Sequence, residues 1–137
     1  MIVWINNPFD FLPGEGARLE RYALLSQALA RAGNEVVWWS SDWSHLMKER
    51  RQAPDEEMLR KALELGPADG RVQIRLVPTR PYFENVSLVR VRSHRDYARQ
   101  WQAVALEAVA SGELAKPDRM VVSTPPLSLY GAAEKLA

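Results

Sequence analysis

The stretch "IVWINNPFDFLPGEGARLERYALLSQALARAGNEVVWWSS", residues 2–41, contains the unit that decides the fold. Residues 2–5 form an apolar run without polar alternation, which predicts a strand buried on both faces. In residues 19–32, apolar side chains recur at three- and four-residue spacing, and Gly33-Asn34 ends this predicted helix. Residues 35–40 predict a second buried strand. A strand, a helix and a strand in this order predict two parallel strands joined by a right-handed crossover.

The rest of the chain continues this alternation. Residues 55–65 predict a helix, and residues 71–77 predict a strand whose polar alternation indicates a position at the sheet edge. Ser93 begins a sequence typical of a helix start, and Gly112 ends that helix. Residues 119–123 and 127–136 predict the last strand and helix. We therefore expect an α/β fold, a Rossmann-like parallel sheet with helices on both faces in three layers, with residues 1–137 as one domain.

Composition excludes several kinds of protein. The chain has 137 residues, 47% of them hydrophobic and 26% charged, which is typical of a globular domain. Its net charge of +1 gives no reason to expect a nucleic acid partner. The absence of cysteine excludes disulfides and thiolate chemistry. No apolar run reaches the roughly 18 residues of a membrane-spanning helix, and residues 1–10 lack the pattern of a signal peptide, so we expect none. We expect a cytoplasmic protein.

A ligand of such a sheet is expected at the carboxyl ends of its strands. Four segments meet there: residues 6–16, 41–44, 78–81 and 124–126. Among them, Ser41 and Thr124 are candidate substrate-binding residues, and Trp43 could stack on a sugar ring or belong to the core. The fourth strand would have a long unpaired edge, which natural proteins usually cover. We expect a partner, a second copy of the chain or further protein to cover it.

The loop Gly14-Glu15-Gly16 has two interpretations. It lies too far from the first strand for a dinucleotide-binding loop, and Leu19 stands where the third glycine of that motif belongs. Its backbone N–H groups could instead bind a phosphate or a sugar hydroxyl ahead of the helix. Alternatively, the loop is a long turn that needs a positive φ at two positions.

Histidine and arginine side chains supply the other candidates. His45 and His94 lack metal-ligand spacing, so no metal site is predicted. His45 is expected on the surface, whereas His94 could reach the ligand edge from the start of its helix or serve a structural role. Arg90, Arg92, Arg95 and Arg99 form a basic cluster. It is either a solvated helix face or a phosphate-binding group, with Arg92 and Arg95 as the candidate ligands of an acceptor phosphate.

Several segments together resemble a known family. They are "IVWINNPF", "LPGEGAR", "ERYALLSQALARAGNEV" with "VVWWSS", "VSLVRVRSHRDYARQW" and "KPDRMVVSTPPLSLYGAA". Their order and spacing, from residue 1 to about residue 133, resemble the N-terminal domain of group 1 glycosyltransferases of the GT-B fold. Asn34 stands where that family usually has histidine.

The resemblance implies an enzyme of cell-envelope polysaccharide synthesis that transfers a sugar from a nucleotide-sugar donor to a lipid-linked or saccharide acceptor, without a metal or other cofactor. It implies that Gly14 and Gly16 let the loop approach the donor and that His94 is the catalytic candidate facing the acceptor. The paired glutamates of the family's C-terminal domain have no counterpart here. We therefore expect the 137-residue chain to be a truncated, acceptor-side domain that is inactive alone. We expect it to be cytoplasmic or peripheral at the inner face of the membrane. The alternatives are a non-catalytic Rossmann-like interaction domain and one subunit of a split glycosyltransferase.

Overall fold

Strands and helices alternate along the whole chain. The computed structural model describes residues 1–16, 18–84, 86–124 and 126–136, and the four strands in these ranges form one parallel sheet in the order β3-β2-β1-β4. This confirms the predicted α/β, Rossmann-like arrangement. The elements are β1 (Ile2–Asn6), α1 (Arg21–Arg31), β2 (Glu35–Ser41), α2 (Glu56–Ala62), β3 (Val72–Val77), α3 (Leu88–Ala110), β4 (Arg119–Val122) and α4 (Ser128–Leu136).

The sheet separates two apolar cores, because successive side chains of a strand point to opposite faces. Trp38 packs in the core that includes α1 and α2, and its neighbour Trp39 packs in the core that includes α3 and α4. Both tryptophans are completely buried. Across the second core, the Trp39 ring contacts the Trp4 ring edge-on at 5.3 Å between centroids. The predicted three layers, with helices on both faces, are therefore confirmed.

The strand order sets the place where a ligand can bind. The chain runs outward from β1 through β2 to β3 and then returns to place β4 on the other side of β1. In parallel sheets, ligands occupy the crevice at the carboxyl ends near such a reversal. β3 and β4 are the two edges of the described sheet, so the prediction that residues 71–77 form an edge strand is confirmed. The β4 edge is short, at four residues, rather than long.

Helix α3 begins earlier than the sequence predicts. Its N-cap is Ser87, whose hydroxyl accepts a hydrogen bond from the Arg90 N–H at 3.1 Å. The prediction that Ser93 caps the helix is wrong: Ser93 lies inside the helix, five residues after Leu88. It is completely buried and donates its hydroxyl to the Arg80 carbonyl at 2.7 Å. The first turn exposes Leu88, so its apolar residues do not follow the periodicity that would reveal a helix.

Both predicted glycine stops are present. Gly33 and Gly112 follow the ends of α1 and α3 with φ values of +81° and +76°, as is common after a helix. Helix α1 begins at Arg21, with Glu20 as its N-cap. Several residues therefore separate the Gly14–Gly16 loop from the helix it was predicted to open.

Candidate ligand-binding site

A pocket lies at the carboxyl edge of the sheet, under α3. Residues that end or follow all four strands contribute to it, as the reversal of strand order predicts. The empty space of the pocket, including its open mouth, is about 250 Å³. Only about 10 Å³ of this space is wide enough to hold the centre of a water molecule. The interior therefore admits about one water molecule, and any larger ligand group must lie at the mouth. The lining residues are Pro8, Phe9, Ser41, Trp43, His45, Thr79, Tyr82, Ser93, His94, Tyr97 and Pro126.

Two histidines that are distant in the sequence meet in this pocket. The Phe9 ring contacts both of them, with its centroid 5.5 Å from that of His45 and 5.0 Å from that of His94. Tyr82 contacts both histidine rings as well, and its hydroxyl lies 2.5 Å from the His45 Nδ1. His45 was expected on the surface; the residue is partly exposed, and its ring also lines the pocket wall.

Neighbouring cations and burial keep both imidazoles neutral. Burial, then the charge of Arg90 and then His45 together lower the pKa of His94 to about 4. The pKa of His45 is lowered by burial and then by Lys48 and Arg90. Burial and Arg90 also lower the pKa of the Lys48 ammonium. At pH 7 the pocket therefore has neutral histidines beside positively charged side chains.

Polar atoms without a partner are concentrated at the same edge. Within the described residues, the Nε2 of His94, the Nδ2 of Asn6 and the Oγ of Ser123 are buried and make no hydrogen bond. Asn6 ends β1 and Ser123 directly follows β4, so these two flank the reversal of strand order. A buried polar atom that lacks a partner costs about 1–3 kcal/mol. Such a cost is commonly explained by a ligand or by bound water.

Not every unpartnered atom belongs to this edge. The indole Nε1 atoms of Trp4, Trp39 and Trp101 also lack a partner among the described residues, and they lie in the apolar core between the sheet and α3. The pocket differs because its unpartnered His94 nitrogen belongs to a side chain that lines an opening. His94 is therefore the polar group most available to a ligand.

Hydroxyl groups hold the floor of the pocket in place. The Ser41 hydroxyl donates to the Thr79 Oγ1 at 2.8 Å and accepts from the Trp43 N–H at 3.0 Å. Thr79 in turn donates to the Val77 carbonyl at 2.8 Å. The predicted substrate-binding residue Ser41 does line the pocket, but its hydroxyl fixes the segments that follow β2 and β3.

Trp43 also lines the pocket, as a wall. Its Nε1 donates to the Tyr82 carbonyl at 3.1 Å, and its ring contacts Phe83 edge-on at 5.2 Å between centroids. Only 6% of the residue is exposed. Little of the ring is accessible for the predicted stacking on a sugar, so packing is the better interpretation.

The Gly14–Gly16 loop is stabilised by its own glutamate. Glu15 Oε2 accepts from the Leu12 N–H at 2.8 Å, and Oε1 lies 3.3 Å from the Nε of Arg51, whose side chain is 3% exposed. Gly14 has a φ of +95°, but Gly16 lies outside the left-handed region, so only one of the two predicted positive φ values is present. These contacts favour the turn interpretation, and ligand binding by Gly14, Glu15 and Gly16 stays a prediction.

Acidic side chains already occupy the start of α1. The Glu20 carboxylate, at the N-cap, accepts from the Phe11 N–H at 3.1 Å, and Asp10 lies close enough to Glu20 and Arg21 for their charges to shift its pKa. Burial and the nearby Glu20 charge raise the pKa of Asp10. Two carboxylates complement the positive end of the helix dipole and disfavour a phosphate at the same place.

Besides the Gly14–Gly16 loop, three predicted site residues lie outside the pocket. Arg92, Arg95 and Thr124 are exposed. Arg95 lines an open groove between α3 and α4 that also includes Lys135. The structure does not bring Arg92 and Arg95 to the pocket that contains His94. Arg90 is the member of the basic cluster whose charge lowers the pKa of His94.

The residues that the sequence prediction missed are His45, Lys48, Tyr82 and Arg90. A signal for each was present. His45, Lys48 and Tyr82 follow the ends of β2 and β3 within a few residues, and loops after parallel strands meet at one edge. Arg90 precedes His94 by four residues, which places both on one helix face once the helix is known to begin at Leu88.

Comparison with known proteins adds no identification. Among the described residues, no three histidine or acidic side chains form a group that could hold a metal ion, and no helix is long and apolar enough to cross a membrane. No family model, no curated protein and no solved structure matches the chain.

Proposed function

We propose that the chain is the acceptor-side half of a glycosyltransferase that takes its sugar from a nucleotide-sugar donor and passes it to a lipid-linked or saccharide acceptor. The observation that carries the proposal is His94, which lines the pocket at the carboxyl edge with a buried, unpartnered Nε2. A neutral imidazole can accept a proton or a hydrogen bond from a hydroxyl group, which is what an acceptor hydroxyl requires of its neighbour. The Rossmann-like sheet and the order of the segments that resemble GT-B enzymes support the same function.

The test is a transfer assay with labelled nucleotide sugars and with lipid-linked and saccharide acceptors. It uses the 137-residue chain and any longer natural protein that contains it. We expect no transfer by the chain alone, because it supplies one side of a two-domain cleft, and transfer that His94→Ala lowers at least tenfold in the longer protein. Glu107→Gln, an exposed change on the same helix, is the matched control. Full activity of His94→Ala would refute the role of this pocket.

A second function, binding of a partner protein without catalysis, is favoured by exposed apolar side chains. Phe83, Val86 and Leu88 are 70%, 93% and 76% exposed and lie close together in the sequence. Exposed apolar groups that adjoin one another mark interaction surfaces. A double variant Phe83→Ser/Leu88→Ser that loses a co-purifying partner, in a protein that transfers no sugar, would select this function instead.

A further inference from the structure

An open groove lies between α3 and α4 and shares no lining residue with the His94 pocket. It encloses about 320 Å³ of space that water can enter, far more than the interior of that pocket. Its lining residues are Arg95, Ala98, Arg99, Gln102, Ser128, Gly131, Ala132 and Lys135. The groove is therefore a second concave surface of the chain, and it needs an explanation of its own.

Three positively charged side chains and no acidic one line this groove. Arg95 and Arg99 belong to α3, and Lys135 belongs to α4. Within the described residues, none of the three makes an ion pair, since all of the ion pairs there involve other arginines. The carboxylate of Asp96, next to Arg95 in the sequence, is held by Arg80 at 2.8 Å. The groove is therefore complementary in charge to an acidic ligand.

Small residues line the groove between these cations. They are Ala98 on α3 and Gly131 and Ala132 on α4. Glycine inside a helix is less stable than alanine, yet a Cβ added at Gly131 would meet no atom within 4 Å. No contact among the described residues therefore requires glycine at this position. A surface without side chains instead allows another backbone to approach α4 closely.

The dimensions of the groove match a helix. It extends along α3 from Arg95 to Gln102, which is about 10 Å, or about two turns, at about 1.5 Å per residue. Arg95 and Arg99 are four residues apart and lie one turn from each other on the same helix face. Two acidic side chains one turn apart on a helix lying along the groove would therefore face these two guanidinium groups.

We propose that the groove between α3 and α4 docks an acidic helical segment of a partner protein. A small anion would gain little in so open a groove, because exposed ion pairs contribute little to binding. A helix that covers the groove contacts the three cations together, excludes water from them and packs against the small residues. The net charge of +1 gives no general attraction to nucleic acid. Docking goes beyond sugar transfer, and either can fail alone because the groove and the His94 pocket are separate.

The test measures binding of a fluorescent synthetic peptide to the 137-residue chain by anisotropy. The peptide is an alanine-rich helix of about 15 residues with glutamates one turn apart, and its control has glutamine in place of each glutamate. We expect the glutamate peptide to bind and the glutamine peptide to bind more weakly by about tenfold or more. Arg99→Gln and Lys135→Gln should each weaken binding about fivefold, the effect of losing one ion pair. Lys116→Gln, which removes a positive charge from an exposed position outside the groove, should leave binding unchanged.

Gly131→Leu distinguishes docking from simple attraction between charges, because it fills the groove without removing a charge. It should not lower the melting temperature, since the added Cβ meets open space and leucine favours a helix. It should weaken binding of the glutamate peptide about tenfold. Binding that Gly131→Leu leaves unchanged would overturn the proposal, as would equal binding of the two peptides or no binding of either.

Vesicles of phosphatidylcholine with and without phosphatidic acid test a different occupant of the groove. We expect no vesicle binding that depends on Arg99 or Lys135. Binding to phosphatidic acid that Arg99→Gln weakens, without binding of the glutamate peptide, would assign the three cations to a lipid surface and overturn the proposal.

Discussion

Glu15→Ala is expected to destabilise the protein strongly, although the sequence places Glu15 in a candidate binding loop. The change removes the partner of Arg51, whose side chain is 3% exposed, and the acceptor of the Leu12 N–H. Leaving a buried charge unpaired costs about 3–5 kcal/mol. Because Arg51 keeps contacts with the Asp10 carbonyl and the Ser40 hydroxyl, we expect the lower value, about 3 kcal/mol.

Urea unfolding followed by circular dichroism measures this free energy, and the melting temperature should fall by about 10 °C for a domain of this size. Glu113→Ala is the matched control: its carboxylate lies 2.6 Å from Arg75 Nη1 but is 53% exposed, so its loss should cost less than about 1 kcal/mol. In an Arg51→Met background, Glu15→Ala should cost only about 1 kcal/mol, since no buried charge is left unpaired. A cost below 1 kcal/mol in the native background, or an equal cost in both backgrounds, would refute the reasoning.

Three further predictions concern backbone, pH and association. Gly14→Ala should lower the free energy of unfolding by about 1–3 kcal/mol because φ is +95°, whereas Gly16→Ala should change it little, since its added Cβ would lie 3.5 Å from the Phe11 ring. Chemical denaturation of the two variants checks this prediction, and equal losses would contradict it. The free energy of unfolding should fall as pH drops from 6.5 towards 4, because in this range His94 is neutral in the folded protein and binds a proton when the protein unfolds. His94→Gln should make this pH dependence less steep, and an unchanged slope would exclude His94 as a cause. Because the β4 edge is only four residues long, self-association through it should be weak and appear only at high concentration. Sedimentation as a strict monomer at high concentration would contradict that expectation.

The architecture could be predicted from the sequence because its signals are local. The apolar run at residues 2–5, the helical spacing in residues 19–32 and the stop at Gly33 each lie within one element. The adjacent Trp38 and Trp39 belong to a strand buried on both faces, and helices pack against each face of that strand. Parallel strands then follow from the alternation of strands with helices.

The start of α3 could not be predicted in the same way. Its first turn presents exposed apolar side chains such as Val91, and Ser93-His94-Arg95-Asp96 resembles a helix start six residues after the actual N-cap, Ser87. Placing the start at Ser93 removed Arg90 from the same helix face as His94. The charged side chain at the pocket was therefore missed, and Arg92 and Arg95 were favoured instead.

The pocket depends on contacts between distant segments, which periodicity does not reveal. Ser41, Trp43 and His94 were predicted as site residues and do line it. His45, in "DWSHLM", was expected on the surface. Its position follows from Tyr82, whose hydroxyl it contacts from another loop. The buried pairing of Glu15 with Arg51 likewise joins two loops that no local pattern connects.

Mapping of ligand contacts by NMR tests the central claim most directly, namely that ligands bind at the His94 pocket. Amide and histidine signals of the 137-residue chain would be followed during titration with a saccharide acceptor and with a sugar phosphate. The account predicts the largest shifts at Phe9, His45, Tyr82, Arg90 and His94. Shifts confined to the Gly14–Gly16 loop, or to Arg92 and Arg95, would contradict it.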